Sequence, residues 1–234
     1  IENLVNEEKH DWANYPKGVI KCFKDEGFVV DKGFDILFFG NIPNGAGLSS
    51  SASIELAMSV VLKGLYSLDV DMIKMVKLSQ KAENSFIGVN CGIMDQFAIG
   101  MGKKDSAILL DCNTLKYDYA PVVLKDAAIV IGNTNKRRGL ADSKYNERRG
   151  ECERALSQLK EKLNITSLGN LSIAEFEINK EIITNEIDRK RAKHAVYENQ
   201  RTLEAVEKLG QGDIEAFGKL MNQSHISLRD DYEV

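Results

Sequence analysis

Along much of the chain, apolar residues recur every three or four positions, which is the spacing of helices that bury one face. This period predicts helices over 10–27, 71–86, 187–209 and 213–228, a further helix with the apolar stripe Ile54, Met58, Val61 and Leu65, and a helical region from about Leu140 onward. Gly210-Gln211-Gly212 is predicted to separate the last two helices, because glycine is a poor helix former.

Three short runs of β-forming residues predict strands at 34–39, 106–110 and 127–131. Strands therefore mix with helices up to about residue 132, and helices dominate after it. We predict an α+β fold in two parts. Residues 1–132 would combine strands and helices, and residues 133–234 would form a mostly helical region.

The composition is that of an ordinary soluble protein, with 43% hydrophobic and 28% charged residues among 234. The net charge is −4 and no block is rich in Lys and Arg, which argues against a nucleic-acid partner. No apolar run reaches the roughly 20 residues that span a bilayer, and no signal peptide opens the chain. The four cysteines are scattered without a CxxC pair, so we expect free thiols and a cytoplasmic protein without a membrane partner.

The chain begins at Ile1 instead of Met, and its last residues continue a helical pattern without a stop signal. We therefore expect it to be an excerpt of a longer protein.

The segment 45–53, here called the serine loop, joins the predicted strand 34–39 to the next helix and is rich in glycine and serine. Its sequence is Gly45-Ala46-Gly47-Leu48-Ser49-Ser50-Ser51-Ala52-Ser53. Glycines let a backbone approach a ligand closely, a helix N-terminus offers N–H groups to an anion, and serine hydroxyls can bind Mg²⁺. It is neither a Walker A loop nor a dinucleotide fingerprint, because GKS, GKT and GxGxxG are absent. A polyphosphate-binding loop is favoured, and a flexible turn that caps the helix is the alternative.

Glu83 lies on the apolar side of the predicted helix 71–86, seven residues after Val76 and eleven after Met72. A buried carboxylate is costly unless it is paired or bound to a cation. The position predicts either a salt bridge with a lysine or arginine, or a ligand to Mg²⁺.

Asp95 follows the chain break at Gly92 and falls near the start of a short predicted helix. The positive end of a helix favours an ionised aspartate, and such a group can accept a proton from a sugar hydroxyl. The pattern by itself favours a helix cap over this catalytic role.

Taken together, these segments resemble GHMP kinases, in particular their galactokinase branch. The segment GNIPNGAGLSSSAS resembles the second conserved motif of the family, and QKAENSFIGVNCGIMDQFA resembles the segment with the catalytic aspartate. Four further segments resemble galactokinases in the same order: WANYPKGVI, LLDCNTL, NTNKRRGLADSKYNERRGECE and SHISLRDDYEV. The resemblance covers nearly the whole chain, and six segments in order make it specific.

The resemblance implies a GHMP-kinase-like fold, whose N-terminal half is of a ribosomal-protein-like type, followed by the helical start of the C-terminal half. It assigns ATP phosphates to Gly45, Ala46, Gly47, Leu48, Ser49, Ser50 and Ser51, and Mg²⁺ to Ser49, Ser50 and Glu83. Asp95 matches the catalytic aspartate, Gly92 and Tyr145 match galactose contacts, and Trp12 and Arg137 match positions near the nucleotide.

The implied activity is transfer of the ATP γ-phosphoryl group to the anomeric hydroxyl of α-D-galactose, by a protein that is monomeric when full length. The family's first motif would precede Ile1, and its glycine-rich third motif would follow Val234. Because the first motif supplies most of the sugar contacts, we expect residues 1–234 by themselves to be inactive.

Two other functions stay open. One is a kinase for N-acetylgalactosamine or arabinose, and the other is a non-catalytic sensor of galactose and ATP. Such sensors lack a Ser-Ala pair in the serine loop, so Ser51-Ala52 favours the enzyme.

Overall fold

The computed structural model describes residues 2–43, 46–133 and 143–233. The described chain divides into two compact units. The first contains residues 2–104, 110–116 and 130–133, and the second contains 105–109, 117–129 and 143–233. The predicted domain boundary at residue 132 stays a prediction.

The first unit is built from four helices: α1 (Asn14–Asp25), α2 (Ser50–Leu65), α3 (Met72–Ala82) and α4 (Met94–Met101). A 3-10 segment, Glu8–Ala13, precedes α1, so the predicted helix 10–27 is present but only its later part is α-helical. The four helices pack on one another around fully or nearly fully buried side chains, which include Val19, Phe23, Leu56, Met58, Leu62, Met75, Val76, Leu78 and Phe97.

The α3 helix confirms the predicted helix 71–86 in position and adds a feature at its end. Asp71 caps the helix, since its carboxylate accepts a hydrogen bond from Lys74 N at 2.7 Å. After Ala82 the chain continues into a π-helical turn, Glu83–Ile87, which Gly88 ends at φ 90°. π-turns of this kind are frequent at functional sites.

The buried face of α2 differs from the predicted stripe. Met58 is fully buried, but Val61 is 36% and Leu65 is 54% exposed. The buried positions are Ala52, Glu55, Leu56, Met58, Ser59 and Leu62. The prediction was wrong because apolar residues occupy more than one face of this helix, and their spacing does not show which face is buried.

The strand predicted at 106–110 is confirmed as β1 (Ser106–Leu110), which pairs with β2 (Tyr117–Pro121). The pairing is antiparallel, because Asp111 N bonds Lys116 O at 2.9 Å and Val122 N bonds Asp105 O at 2.9 Å. In the turn, the Asp111 carboxylate accepts hydrogen bonds from Asn113 N and from the Thr114 hydroxyl.

The strands predicted at 34–39 and 127–131 are not formed by the described residues. Apolar side chains in both segments are exposed, with Leu37 at 91% and Val130 at 88%. A strand requires hydrogen bonds from a neighbouring strand, and the described chain pairs none with these segments. The β-propensity of a segment therefore shows that its residues suit a strand, but it does not show that a neighbouring strand is present to pair with it.

The second unit contains α5 (Ser143–Lys160), α6 (Ile173–Asn179), α7 (Glu186–Gln211) and α8 (Ile214–Ser227). Short 3-10 segments lie between α5 and α6 and between α6 and α7. The helices predicted at 187–209 and 213–228 are confirmed, although α7 continues through Gly210 and Gln211. It ends at Gly212, whose φ of 71° lies in the left-handed region. The core of this unit is Ala155, Leu159, Leu168, Leu171, Phe176, Ile183, Ala192 and Val196.

Among the residues that the structure describes, none of the helices has the length and apolar character that a membrane crossing needs.

Candidate active site

The serine loop turns sharply before it enters α2. Gly47 has φ 71° and Ser49 has φ 54°, both in the left-handed region, which is uncommon for a residue with a side chain. Ser49 is the N-cap of α2, yet its side chain makes no capping hydrogen bond. The first N–H groups of α2 are therefore not capped by the serine at this position, which suits an anion at the helix start.

A buried acidic cluster lies behind the loop, formed by Glu55 of α2, Glu83 of the π-turn and Gln96 of α4. Gln96 Nε2 donates to Glu83 Oε2 at 2.7 Å and to Glu55 Oε2 at 3.1 Å. Ser51 Oγ donates to Glu83 Oε1 at 3.4 Å, which connects the cluster to the serine loop. Glu55 and Gln96 are 0% exposed and Glu83 is 8% exposed, so water screens these carboxylates little.

The burial of Glu83 confirms the prediction from its period, but the salt-bridge interpretation is wrong. No described lysine or arginine forms an ion pair with Glu83 or Glu55. Burial, followed by the negative charge of Asp95, raises the pKa of Glu83 above its usual value. Burial, followed by the charge of Glu83, raises the pKa of Glu55 to about 9.

The pKa values of two further side chains, Tyr15 and Cys91, are also raised near Glu83. Burial and the charge of Glu83 raise the pKa of Tyr15 to about 12 and that of Cys91 to about 12. Cys91 Sγ lies 3.2 Å from Asn84 Oδ1, which keeps the thiol near the cluster. No described lysine or arginine stabilises the ionised carboxyl groups of this cluster, and a bound cation would do so.

Asp95 lies in the first turn of α4, next to Gln96. Ile93 occupies the N-cap position, so the helix-cap interpretation of Asp95 is wrong. The charge of Asp95 contributes to the raised pKa of both Glu83 and Glu55, and this places the aspartate near the cluster. Asp95 is half-buried, and its carboxylate is not fully enclosed by the protein.

The other predicted site residues lie in several places. Trp12 is 48% exposed before α1, and its ring meets the edge of Phe38 at 5.7 Å between centroids. Gly92 is exposed in the segment before α4. Tyr145 is 46% exposed on α5 of the second unit. The predicted nucleotide contacts Gly45 and Arg137 lie outside the described residues.

The donor set of the loop and cluster fits a small hard cation. Serine hydroxyls and a carboxylate are oxygen ligands of the kind Mg²⁺ prefers, and Mg²⁺ commonly takes one or two carboxylates together with phosphate oxygens. Within 2–43, 46–133 and 143–233, no group of three or more His, Cys, Asp or Glu side chains is arranged to hold a metal. A cation here would therefore need ligands from a bound phosphate or water as well.

Comparisons with known proteins agree on one family. Residues 14–103 match the family model described as the GHMP kinases N terminal domain. A galactokinase from Clostridium beijerinckii is 63% identical over 234 residues, which is 100% of this chain and 60% of the relative. The chain is similar to GHMP kinases of the galactokinase branch along its whole length.

Two further galactokinases are similar to this chain. A galactokinase from Fusobacterium nucleatum is 66% identical over 235 residues, again 100% of this chain and 60% of the relative. The crystal structure of Lactococcus lactis galactokinase complexed with galactose is similar, with a TM-score of 0.92 and 54% identity over 95% of this chain and 57% of that one. These findings confirm the predicted α+β, GHMP-kinase-like fold. The chain spans about 60% of the length of the curated relatives it matches.

Glu55 and Gln96 were not among the site residues that the sequence predicted. Glu55 falls outside the apolar stripe predicted for α2, and Gln96 directly follows Asp95 without a pattern of its own. One signal was available: Glu55 follows Ser51 by four residues, one helical turn, and so lies on the same side of α2.

Proposed function

We propose that this chain, as part of a longer protein, transfers the γ-phosphoryl group of ATP to the anomeric hydroxyl of α-D-galactose. The observation that carries the proposal is the 63–66% identity to galactokinases along all of the chain. The acidic cluster beside the serine loop supports this proposal, because a kinase needs carboxylate ligands for the Mg²⁺ that accompanies ATP.

In the proposed reaction, the sugar oxygen forms a bond to the γ-phosphorus while the bond to the β-phosphate oxygen breaks and ADP leaves. Asp95 holds the sugar hydroxyl in line and accepts its proton. The backbone of residues 45–51 and the start of α2 hold the ATP phosphates. Trp12 and Arg137 would contact the nucleotide, and Gly92 and Tyr145 the sugar.

Ser49 or Ser50, together with Glu83, would hold Mg²⁺. When bound, this ion neutralises charge on the β- and γ-phosphate oxygens. The raised pKa of Glu83, with which no described lysine or arginine forms an ion pair, supports this role, since a bound cation would stabilise its ionised form.

The test is an ADP-release assay on the purified full-length protein with ATP, Mg²⁺ and each of three sugars. We expect the highest kcat/KM for galactose, and little ADP release when the sugar or Mg²⁺ is omitted. A clear preference for N-acetylgalactosamine or arabinose would contradict the sugar assignment. Binding of galactose and ATP without turnover of any sugar would indicate the non-catalytic sensor instead.

A further inference from the structure

A single buried amide joins the parts of the site that come from different helices. Gln96 Nε2 has two hydrogens, and it gives one to Glu83 Oε2 at 2.7 Å and the other to Glu55 Oε2 at 3.1 Å. In this orientation one amide nitrogen bridges the two acidic side chains.

Both oxygens of Glu83 are thereby held from outside its own helix. Oε2 accepts from Gln96 of α4, and Oε1 accepts from Ser51 of α2 at 3.4 Å. Glu55 lies one turn after Ser51 on the same helix. The cluster therefore joins the helix that follows the serine loop to the turn that carries Glu83 and to the helix that carries Asp95.

We infer that Gln96 and Glu55 are positioning residues, which orient the Glu83 carboxylate toward a Mg²⁺–nucleotide complex and hold α4 in register with the serine loop. This inference rests on the proposed function in one respect, since Glu83 is proposed there as a ligand of Mg²⁺. Groups that hydrogen-bond a metal-ligating carboxylate fix its direction, and their loss commonly weakens metal binding.

The cost of the arrangement supports this role. Glu55 Oε1 and Gln96 Oε1 are buried and have no hydrogen-bond partner among the described residues. A buried polar cluster that is only partly satisfied is less stable than an apolar contact of similar shape. A core that needed only stability would be served better by apolar side chains at both positions.

The test uses the full-length protein and measures ADP affinity by calorimetry, with and without Mg²⁺. In Gln96→Met, which removes the amide donor at similar length, the gain in ADP affinity from Mg²⁺ should fall about 10- to 100-fold. ADP affinity without Mg²⁺ should be unchanged. Glu55→Gln should keep nearly the wild-type Mg²⁺ effect, because its amide oxygen can still accept from Gln96. Glu55→Leu should lose that effect, since it offers no acceptor.

A matched control tests whether the effect is only structural. Ser59 of α2 and Ser79 of α3 are both fully buried, and their hydroxyls are 3.0 Å apart. Ser59→Ala also removes a buried hydrogen bond between helices of this unit, but it should leave the Mg²⁺ effect unchanged. If Gln96→Met does not fold, Glu55→Leu compared with Glu55→Gln carries the same test.

The results separate this inference from the proposed function. Equal Mg²⁺ effects in wild type and Gln96→Met would overturn the inference, as would an equal loss in Ser59→Ala or in Glu55→Gln. A wild-type protein without sugar kinase activity would contradict the proposed function. The inference would still stand if Gln96→Met weakened the Mg²⁺ effect in that protein.

Discussion

Carboxylates are buried in both units of the chain, but their surroundings differ. In the second unit, Glu151 is 5% exposed and lies 3.1 Å from Arg148 Nη1 and 2.8 Å from Arg191 Nε. In the first unit, Glu55 and Glu83 share the amide of Gln96 and form no ion pair with a described lysine or arginine. Burial and mutual repulsion accordingly raise the pKa of Glu55 to about 9.

The groups that surround the buried carboxylates indicate the role of these carboxylates in each unit. The arginines of the second unit also donate to backbone carbonyls, Arg191 to Asp231 O at 2.6 Å and Arg148 to Tyr232 O at 2.8 Å. That network holds the π-helical turn Leu228–Tyr232 against α5 and α7. Burial of a charge is therefore a weak signal by itself. The first unit is marked as the candidate site because no lysine or arginine among the described residues pairs with its buried carboxyl groups.

The largest effect should come from Asp95, which lies near the buried carboxyl groups of Glu55 and Glu83. In the full-length protein, Asp95→Asn should lower kcat for galactose by about 100-fold or more, because it removes the proposed proton acceptor. The stability of the protein should not fall, since the substitution also removes a negative charge that acts on Glu83. Steady-state kinetics and thermal unfolding check both points, and wild-type turnover would refute the role.

Substitutions in the ion-pair network of Glu151, Arg148 and Arg191 should change the stability of the protein and not its ligand binding. Glu151→Met leaves two buried arginines without their shared carboxylate and should lower the free energy of unfolding by about 3 kcal/mol. Denaturant unfolding of the full-length protein measures this loss, and calorimetry should give an unchanged Mg²⁺ effect on ADP affinity.

Lys219→Ala provides the control for an exposed ion pair. Lys219 Nζ lies 2.7 Å from Glu215 Oε1, and both side chains are mostly exposed. Its loss should change stability far less than Glu151→Met does, because solvent screens exposed pairs. Equal losses in the two variants would contradict the contrast drawn between the units.

A further effect is a change in the pH dependence of stability. The pKa of Glu55 is about 9 in the folded protein against an ordinary value of 4.5, so between these values the unfolded chain releases a proton that the folded protein keeps. This part of the stability is fully present below about pH 4.5 and is lost as pH rises toward 9, by roughly 1 kcal/mol per pH unit. Glu55→Gln should flatten that slope.

Denaturant midpoints between pH 5 and 8.5, measured without Mg²⁺, check this prediction. The wild-type midpoint should fall with rising pH, and the midpoint of Glu55→Gln should fall less steeply. Parallel slopes would mean that Glu55 does not keep its proton in the folded protein.

Local patterns in the sequence were sufficient for several parts of this protein. The helices at 71–86, 187–209 and 213–228 follow from a period of 3.6 residues, and the burial of Glu83 follows from the same period. The quoted motifs also led to the correct family, which the comparisons confirm. These features depend on residues close together in the chain, so one sequence contains the information.

Contacts between distant residues were decided only by the tertiary structure. Glu55 and Gln96 are 41 positions apart, and no local pattern indicates that one amide joins Glu55 to Glu83. The segments at 34–39 and 127–131 have strand-forming residues yet form no strand, because pairing requires a partner from elsewhere in the chain. The sequence by itself determined the helices, the serine loop and the burial of Glu83. The tertiary structure decided which groups surround that carboxylate, since hydrogen bonds and counter-charges between helices depend on how the helices pack.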